Sequence, residues 1–194
     1  MNPSEGGGPD WNRLYQTASG QDGHFTTQQG LLAGYSPQLL AKHLAAGRIL
    51  RVRRGVYRLV HFPSSDNEEL TVVWLWSEQA GVFSHQTALA LHGISDVLPT
   101  HLDLTVPAAW RARRFRLPPG VVLHHADLIE ADRAWFGAVP ITSVPRTLND
   151  CAAADLAPDL LSQAAQQALR RGLVDRQSLG DVERALRAFG GLAA

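Results

Sequence analysis

Between Ser36 and Leu59 the chain reads SPQLLAKHLAAGRILRVRRGVYRL, and few folds accommodate such a stretch. It holds six of the chain's eighteen lysines and arginines (Lys42, Arg48, Arg51, Arg53, Arg54 and Arg58) and no acidic residue. Ser36 is a helix-capping residue, and Pro37 falls at the first helical position, where its missing N–H costs nothing. Leu40 and Leu44, four apart, give this helix a buried stripe with Leu39 at its margin, while Gln38, Lys42 and Ala45 form an outward, partly polar stripe. Arg54-Gly55 then reads as a hairpin turn. Pairing outward from it sets Arg53 across from Val56, Val52 from Tyr57, Arg51 from Arg58 and Leu50 from Leu59. On that register Leu50, Val52, Tyr57 and Leu59 share a core face, and Arg51, Arg53 and Arg58 share the other.

The residues upstream complete a unit. Asp10 can cap a helix whose positions Trp11, Leu14, Tyr15 and Ala18 make one apolar stripe. Thr26 with Gln29 fits a capping box opening a short helix through Ala33, which Gly34 stops. Two short helices joined by so tight a turn, then a basic hairpin, predict a winged helix-turn-helix. Gln38 can pair with an adenine edge, and Lys42 can reach a guanine or a phosphate. On an isolated helix those two residues would read as a solvated face. The hairpin changes the balance, because an Arg51–Arg58 pair is unfavourable by a few tenths, ~0.3 kcal/mol, as pure structure and natural beside a phosphate backbone. The expected DNA contacts are Ser36, Gln38, Lys42, Arg48, Arg51, Arg53, Arg54 and Arg58.

Net charge is zero over 194 residues, which alone argues against a nucleic-acid binder. The distribution argues otherwise: residues 1–60 carry seven basic and three acidic side chains, a net of +4, and the remainder a net of −4. A single cysteine, Cys151, excludes an internal disulfide and a thiolate-rich zinc site and fits a reducing cytoplasm. The most apolar run, Leu70 to Leu75, is too short to span a membrane. The N-terminal MNPSEGGGPD lacks the pattern of a signal peptide and reads as a loose tail.

Beyond the hairpin, HFPSSDNEE reads as a linker, with Ser65 and Glu68 as another capping box. The helix that follows, Glu69 to Gln79, is apolar nearly all round, so it is buried between the two halves or meets a partner. Ser84 caps the next helix and Gly93 ends it. His85 and His92 fall on nearly one face, but no third ligand at matching spacing supports zinc. His124 and His125 are strand neighbours and point to opposite faces. Leu102, Leu104 and Val106 alternate with Asp103 and Thr105 as in a strand, and strands at Val121–His124, Arg133–Phe136 and Val139–Thr142 complete a small mixed sheet around a Pro118-Pro119-Gly120 turn. WRARRFR supplies Arg111, Arg113, Arg114 and Arg116, which read equally as a solvated loop and as a second phosphate or partner contact. Helices follow from Ser143, with Arg146 and Asp150 expected to pair at i, i+4. No Gly-rich phosphate loop, nucleophile elbow or H-E-x-x-H helix is present, so neither catalytic nor metal residues are assigned and no cofactor is expected.

The pattern from HFTTQQGLLAGYSPQLLAKHLAAGRILRVRRGVYRL onward, with SHQTALALHGIS (Ser84 to Ser95), the LTVP strand end (Leu104 to Pro107) and VPITSVPRTLNDCA (Val139 to Ala152), resembles the AbiEi antitoxins of type IV toxin–antitoxin systems. The resemblance covers most of the chain. It implies a winged helix that represses its own operon through inverted repeats in double-stranded DNA, and a C-terminal domain that counteracts a nucleotidyltransferase-type toxin without needing a stable complex. Relatives can carry a nuclease-like domain beyond the point where this chain ends; its acidic and lysine constellation is absent here. The expected fold class is α+β: a tail over 1–9, a winged helix-turn-helix over 10–61 and a mixed α/β C-terminal domain over 62–194, ending in helices. Three other readings stay open: a C-terminal module that binds a toxin or its RNA target directly, a winged-helix regulator without a toxin, and an enzyme with a DNA-reading domain.

Overall fold

Asp10 opens the first element as its sequence position predicts. In the computed structural model, which describes residues 8–114 and 116–192, its carboxylate accepts the Arg13 N–H at 3.0 Å and caps helix α1 (Trp11–Ser19). The stripe is half buried: Leu14 and Ala18 are sealed, whereas Trp11 and Tyr15 stay exposed. Residues 1–7 of the expected tail lie outside the described residues. Strand β1 (His24–Thr26) leads into helix α2 (Thr27–Leu32), and both halves of the Thr26–Gln29 capping box form. Helix α3 (Pro37–Ala45) follows, with the Ser36 hydroxyl accepting the Leu39 N–H at 3.2 Å.

Strands β2 (Ile49–Arg53) and β3 (Val56–Leu59) make the hairpin, and β3 sits centrally in a three-stranded antiparallel sheet ordered β1-β3-β2. The core between helices and sheet is Leu14, Ala18, Phe25, Tyr35, Leu40, Ile49, Tyr57 and Leu59. Fully sealing a side chain such as Phe25 stabilises by about 1.5–3 kcal/mol. Gly23 is required here twice over. Its φ of +78° is left-handed, and an added Cβ would lie 2.6 Å from the Phe62 ring.

The expected register of the hairpin holds only at its tip. Arg53 pairs with Val56 across the Arg54-Gly55 turn, where Gly55 takes a φ of +80°. Below it a β-bulge between Arg51 and Arg53 shifts the partners by one: Arg51 faces Tyr57, Leu50 faces Arg58, and Ile49 faces Leu59. Ile49 therefore supplies the core contact of β2, while Leu50 and Val52 are exposed. The predicted core face (Leu50, Val52, Tyr57, Leu59) is corrected to Ile49, Tyr57 and Leu59. The opposed Arg51–Arg58 pair does not exist.

The chain divides into two compact units, Met1–Gln79 and Ala80–Ala194. Helix α4 (Glu68–Trp76) falls in the first and packs on β1 and β3, so the winged-helix unit runs past the 61/62 boundary read from the linker composition. Leu70 to Leu75 are buried throughout. Asn67, not Ser65, precedes the first turn, although the Glu68 carboxylate does accept the Ser65 N–H at 3.2 Å. The helix stops before the expected Gln79, since Glu78 and Gln79 both take positive φ. Thr71 donates to Asp22, and Gln79 donates to the Gln21 side chain, itself bonded in both directions to Gln29.

In the second unit, strands β4 (Val82–Phe83), β5 (Leu102–Val106), β6 (Val121–His125), β7 (Arg133–Phe136) and β8 (Val139–Thr142) form a mixed sheet ordered β6-β5-β4-β8-β7. The β5–β6 and β4–β8 pairs are parallel; the others are antiparallel. Helix α5 (His85–Leu91) follows β4, and α6 (Val144–Ala153), α7 (Pro158–Arg170) and α8 (Gly180–Leu186) close the unit. Leu161, Ala164, Ala165 and Ala168 repeat at i, i+3, i+4 and i+7 along α7 and join Leu148, Cys151, Val182 and Leu186 in one core. The polar face of β5 departs from the simple alternation: Asp103 and Thr105 are as buried as Leu104. The architecture is α+β, a helix-turn-helix with a wing followed by a mixed α/β unit that ends in helices.

Candidate nucleic-acid interface

The outer stripe of α3 is where the sequence put it. Gln38, Ala41, Lys42 and Ala45 are exposed, Leu40 is sealed, and Leu39 and Leu44 lie between. Trp11 stacks on His43 with ring centroids 6.2 Å apart, and Tyr35 meets the same ring edge-on at 5.4 Å, which clamps the inner side of the helix. Burial, with the charges of Arg48 and Lys42, holds His43 below the usual histidine range, so this ring faces α3's neighbours as a neutral aromatic. Arg48 is exposed, and its backbone is fixed at both ends, by the His43 carbonyl at 3.0 Å and the Val60 N–H at 3.3 Å. Arg51 and Arg54 are exposed along the wing, and Arg53 is half-buried. Ser36 is exposed at the start of α3, with its hydroxyl engaged as the cap.

Arg58 does something else. Its Nη2 donates to Glu68 at 2.9 Å and to the Phe62 carbonyl at 2.9 Å, and its Nε reaches the same Glu68 oxygen at 3.2 Å. Only 11% of its side chain is exposed. It ties β3 to α4 and is no free cation of the wing, unlike the exposed arginines expected beside it. The remaining set is Gln38, Lys42, Arg48, Arg51, Arg53 and Arg54, with the Ser36 backbone at the helix entrance. Among the described residues none of those cations is paired with a carboxylate.

Residues 12–60 match the family model described as transcriptional regulator, AbiEi antitoxin. Over those residues the chain is similar to the AbiEi antitoxin regulators. That match, to a model of transcriptional regulators, lies wholly within the first compact unit. No curated protein matches the chain. Among solved structures, the RV2827C protein from Mycobacterium tuberculosis aligns at 17% identity and a TM-score of 0.44, over 94% of this chain and 81% of that one. No helix among the described residues is long and apolar enough to cross a membrane.

The second unit contains a polar cluster that sequence spacing did not reveal. His124 Nε2 and His101 Nε2 lie 2.8 and 3.2 Å from one oxygen of buried Asp103. The His85 ring lies over that of His124, centroids 3.6 Å apart. Burial pushes the Asp103 carboxyl up, but the His124 hydrogen bond and the nearby His101 charge outweigh it and leave the group below its usual range. Burial, then His124, holds His85 low. Ser84 is no displayed nucleophile: it is fully buried, and its oxygen accepts the Thr105 hydroxyl at 2.7 Å. The His85–His92 pairing considered from the sequence is not made, since His92 Nε2 lies 2.8 Å from the Thr142 carbonyl. Among the described residues no group of three or more His, Cys, Asp or Glu side chains is arranged to hold a metal. Arg146 meets Asp150 at 2.8 Å, as its spacing predicts, and Asp132 at 3.3 Å as well. Burial pushes the Cys151 thiol up to about 12, so it is no nucleophile either.

Proposed function

We propose that this chain is the operator-binding antitoxin of a type IV toxin–antitoxin operon, a cytoplasmic autorepressor that opposes a nucleotidyltransferase-type toxin. The observation that carries the reading is the exposed basic set Lys42, Arg48, Arg51 and Arg54 across α3 and the wing, which pairs with no carboxylate among the described residues, in a stretch similar to the AbiEi regulators. Helix α3 enters the major groove, where Gln38 and Lys42 read base edges, and the wing lies against phosphates. Inverted repeats present one such surface to each half-site. The antitoxic part of the activity is assigned to residues 80–194 and acts on the toxin's effect without a stable complex.

A mobility-shift series on the DNA upstream of the chain's own gene tests the first half of this. An Arg51→Ala, Arg53→Ala, Arg54→Ala variant is expected to bind more weakly and to flatten the dependence of log K on log salt by roughly 0.9 for each phosphate left unneutralised. Unchanged affinity in that variant sinks the wing assignment. Co-expression with the neighbouring gene product tests the second half. Absence of any toxicity to neutralise leaves a winged-helix regulator without a toxin.

A further inference from the structure

The second unit has a basic groove that operator reading does not use. After β5 ends at Val106, Pro107 leads into a 3-10 turn, Ala108–Ala112, whose first N–H is held by the Asp127 carboxylate at 3.0 Å. The turn packs on β6 beside an open groove of about 720 Å³, within the size range of ligand sites. We propose that this groove binds single-stranded nucleic acid, with Arg111, Arg114 and Arg116 on the phosphates and the Trp110–Arg113 pair as a stacking platform.

Four guanidinium groups occupy six consecutive positions, and Arg111, Arg113, Arg114 and Arg116 all line this one groove. Like charges so crowded repel each other, and among the described residues no carboxylate pairs with Arg111, Arg114 or Arg116. Arg111 has only a long contact, 3.4 Å, to the His125 carbonyl. A polyanion relieves that repulsion, and the guanidinium fork matches phosphate oxygens. The floor is not cationic. Trp110, Leu117, Leu123 and His125 supply flat and apolar surface, and the Arg113 guanidinium lies 4.0 Å from the Trp110 ring centroid. A chain alternating phosphates with flat bases satisfies both parts of such a lining. Duplex DNA hides its bases and uses only the cations, and an acidic peptide leaves the indole and the two leucines unmatched. The wing has no part in this inference.

The test uses the full chain and fluorescence polarisation of labelled dT15, labelled rU15 and a mixed-sequence 20-base-pair duplex. Wild type is expected to bind both single strands. Arg111→Gln, Arg114→Gln, Arg116→Gln weakens that binding at least tenfold and flattens its salt slope by roughly 0.7 per phosphate left unneutralised, while its duplex binding, carried mainly by the wing, falls far less. Arg51→Gln, Arg53→Gln, Arg54→Gln shows the converse, so failure of the groove and failure of the wing are read separately. Trp110→Leu costs about tenfold in single-strand affinity and Trp110→Phe little, as stacking requires. Equal binding of rU15 and dT15 supports a general single-strand site; a preference for rU15 supports an RNA site. Three results overturn the proposal: unchanged single-strand affinity in the folded triple variant, equal affinities of the Trp110→Leu and Trp110→Phe variants, or competition by poly-glutamate as effective as by rU15, which makes the ligand an acidic protein.

Discussion

Arg58 and Glu68 meet at 2.9 Å across the seam between β3 and α4, with side chains 11% and 27% exposed. An arginine that belongs by sequence to a basic hairpin thus holds the hairpin to the helix behind it. Removing either partner leaves the other charge half-buried and unpaired. Arg58→Ala and Glu68→Ala are each expected to cost about 2–3 kcal/mol, between the values for exposed and buried pairs. Urea denaturation reads the loss. DNA affinity per folded molecule should stay put, and a stable Arg58→Ala variant that no longer shifts DNA would return Arg58 to the interface.

Gln38 and Lys42 should separate by what they read. Gln38→Ala is expected to relax preference at one base pair, by about 1–3 kcal/mol of discrimination, and Lys42→Ala to weaken all sequences alike if it sits on a phosphate. Both side chains are exposed, so stability should change by less than about 0.5 kcal/mol. Binding to a panel of single-base operator variants distinguishes them; identical panels for both variants and wild type remove α3 from base reading.

Gly23→Ala should be among the costliest single-methyl changes in the winged helix. The left-handed φ and the 2.6 Å approach to Phe62 add strain to overpacking. A loss of about 2–4 kcal/mol is expected, read as a drop in Tm of the first unit. A Tm within a degree of wild type would mean that the Phe62 ring moves aside freely.

Acid should destabilise the protein. Burial is the leading cause that lowers His24, His43, His85 and His92 below the ordinary histidine value of 6.5. The unfolded chain takes up protons near 6.5 that the folded chain refuses, so stability is complete above about 6.5 and falls as the pH drops below it. Asp103, held below 3.8, adds a loss only at still lower pH. Thermal denaturation between pH 5 and 8 is expected to give a rising Tm, and His92→Gln should flatten the rise while keeping a donor for the Thr142 carbonyl. A Tm that is level from pH 5 to 8 contradicts the burial argument.

Cys151 should react with a thiol reagent only through unfolding. It is 1% exposed, and its thiol is pushed up to about 12. Native protein is expected to remain unlabelled for as long as it stays folded, with labelling complete in urea. Rapid labelling without denaturant would mean local opening of α6.

Most capping and turn chemistry of the winged helix was legible in the sequence because it is local, whereas Ser65 does not precede its helix and Ser84 precedes α5 without a side-chain cap hydrogen bond. Asp10, the Thr26–Gln29 box, Ser36-Pro37 and Arg54-Gly55 all act over four residues or fewer, and each forms as read. Interactions set by pairing were not legible. A one-residue bulge at Val52 moves the core contact from Leu50 to Ile49, and no period-2 pattern announces an inserted residue. Glu68 reads as a capping residue because its second partner, Arg58, lies ten positions away across a strand. The His101–Asp103–His124 cluster needs the parallel register of β5 and β6, which places His124 beside Thr105. The two-residue strand β4 is too short to carry any pattern, yet it is the middle of the sheet. The exposed stripe of α3 was readable because amphipathic spacing alone decides it. The inward turn of Arg58 was not, because it depends on a helix that composition assigns to the other half.

Gln79 closes the first unit through a chain of amides, donating at 2.9 Å to Gln21, which exchanges hydrogen bonds of 3.1 and 2.8 Å with Gln29. None of these groups titrates, and none feels ionic screening as a charge pair would. The end of the first unit is therefore held by contacts that salt weakens little, unlike the proposed attraction between wing and phosphate. On the proposed operator binding, a titration with potassium chloride is expected to strip the protein from DNA while that fastening persists, so affinity and the integrity of the first unit would be separately adjustable.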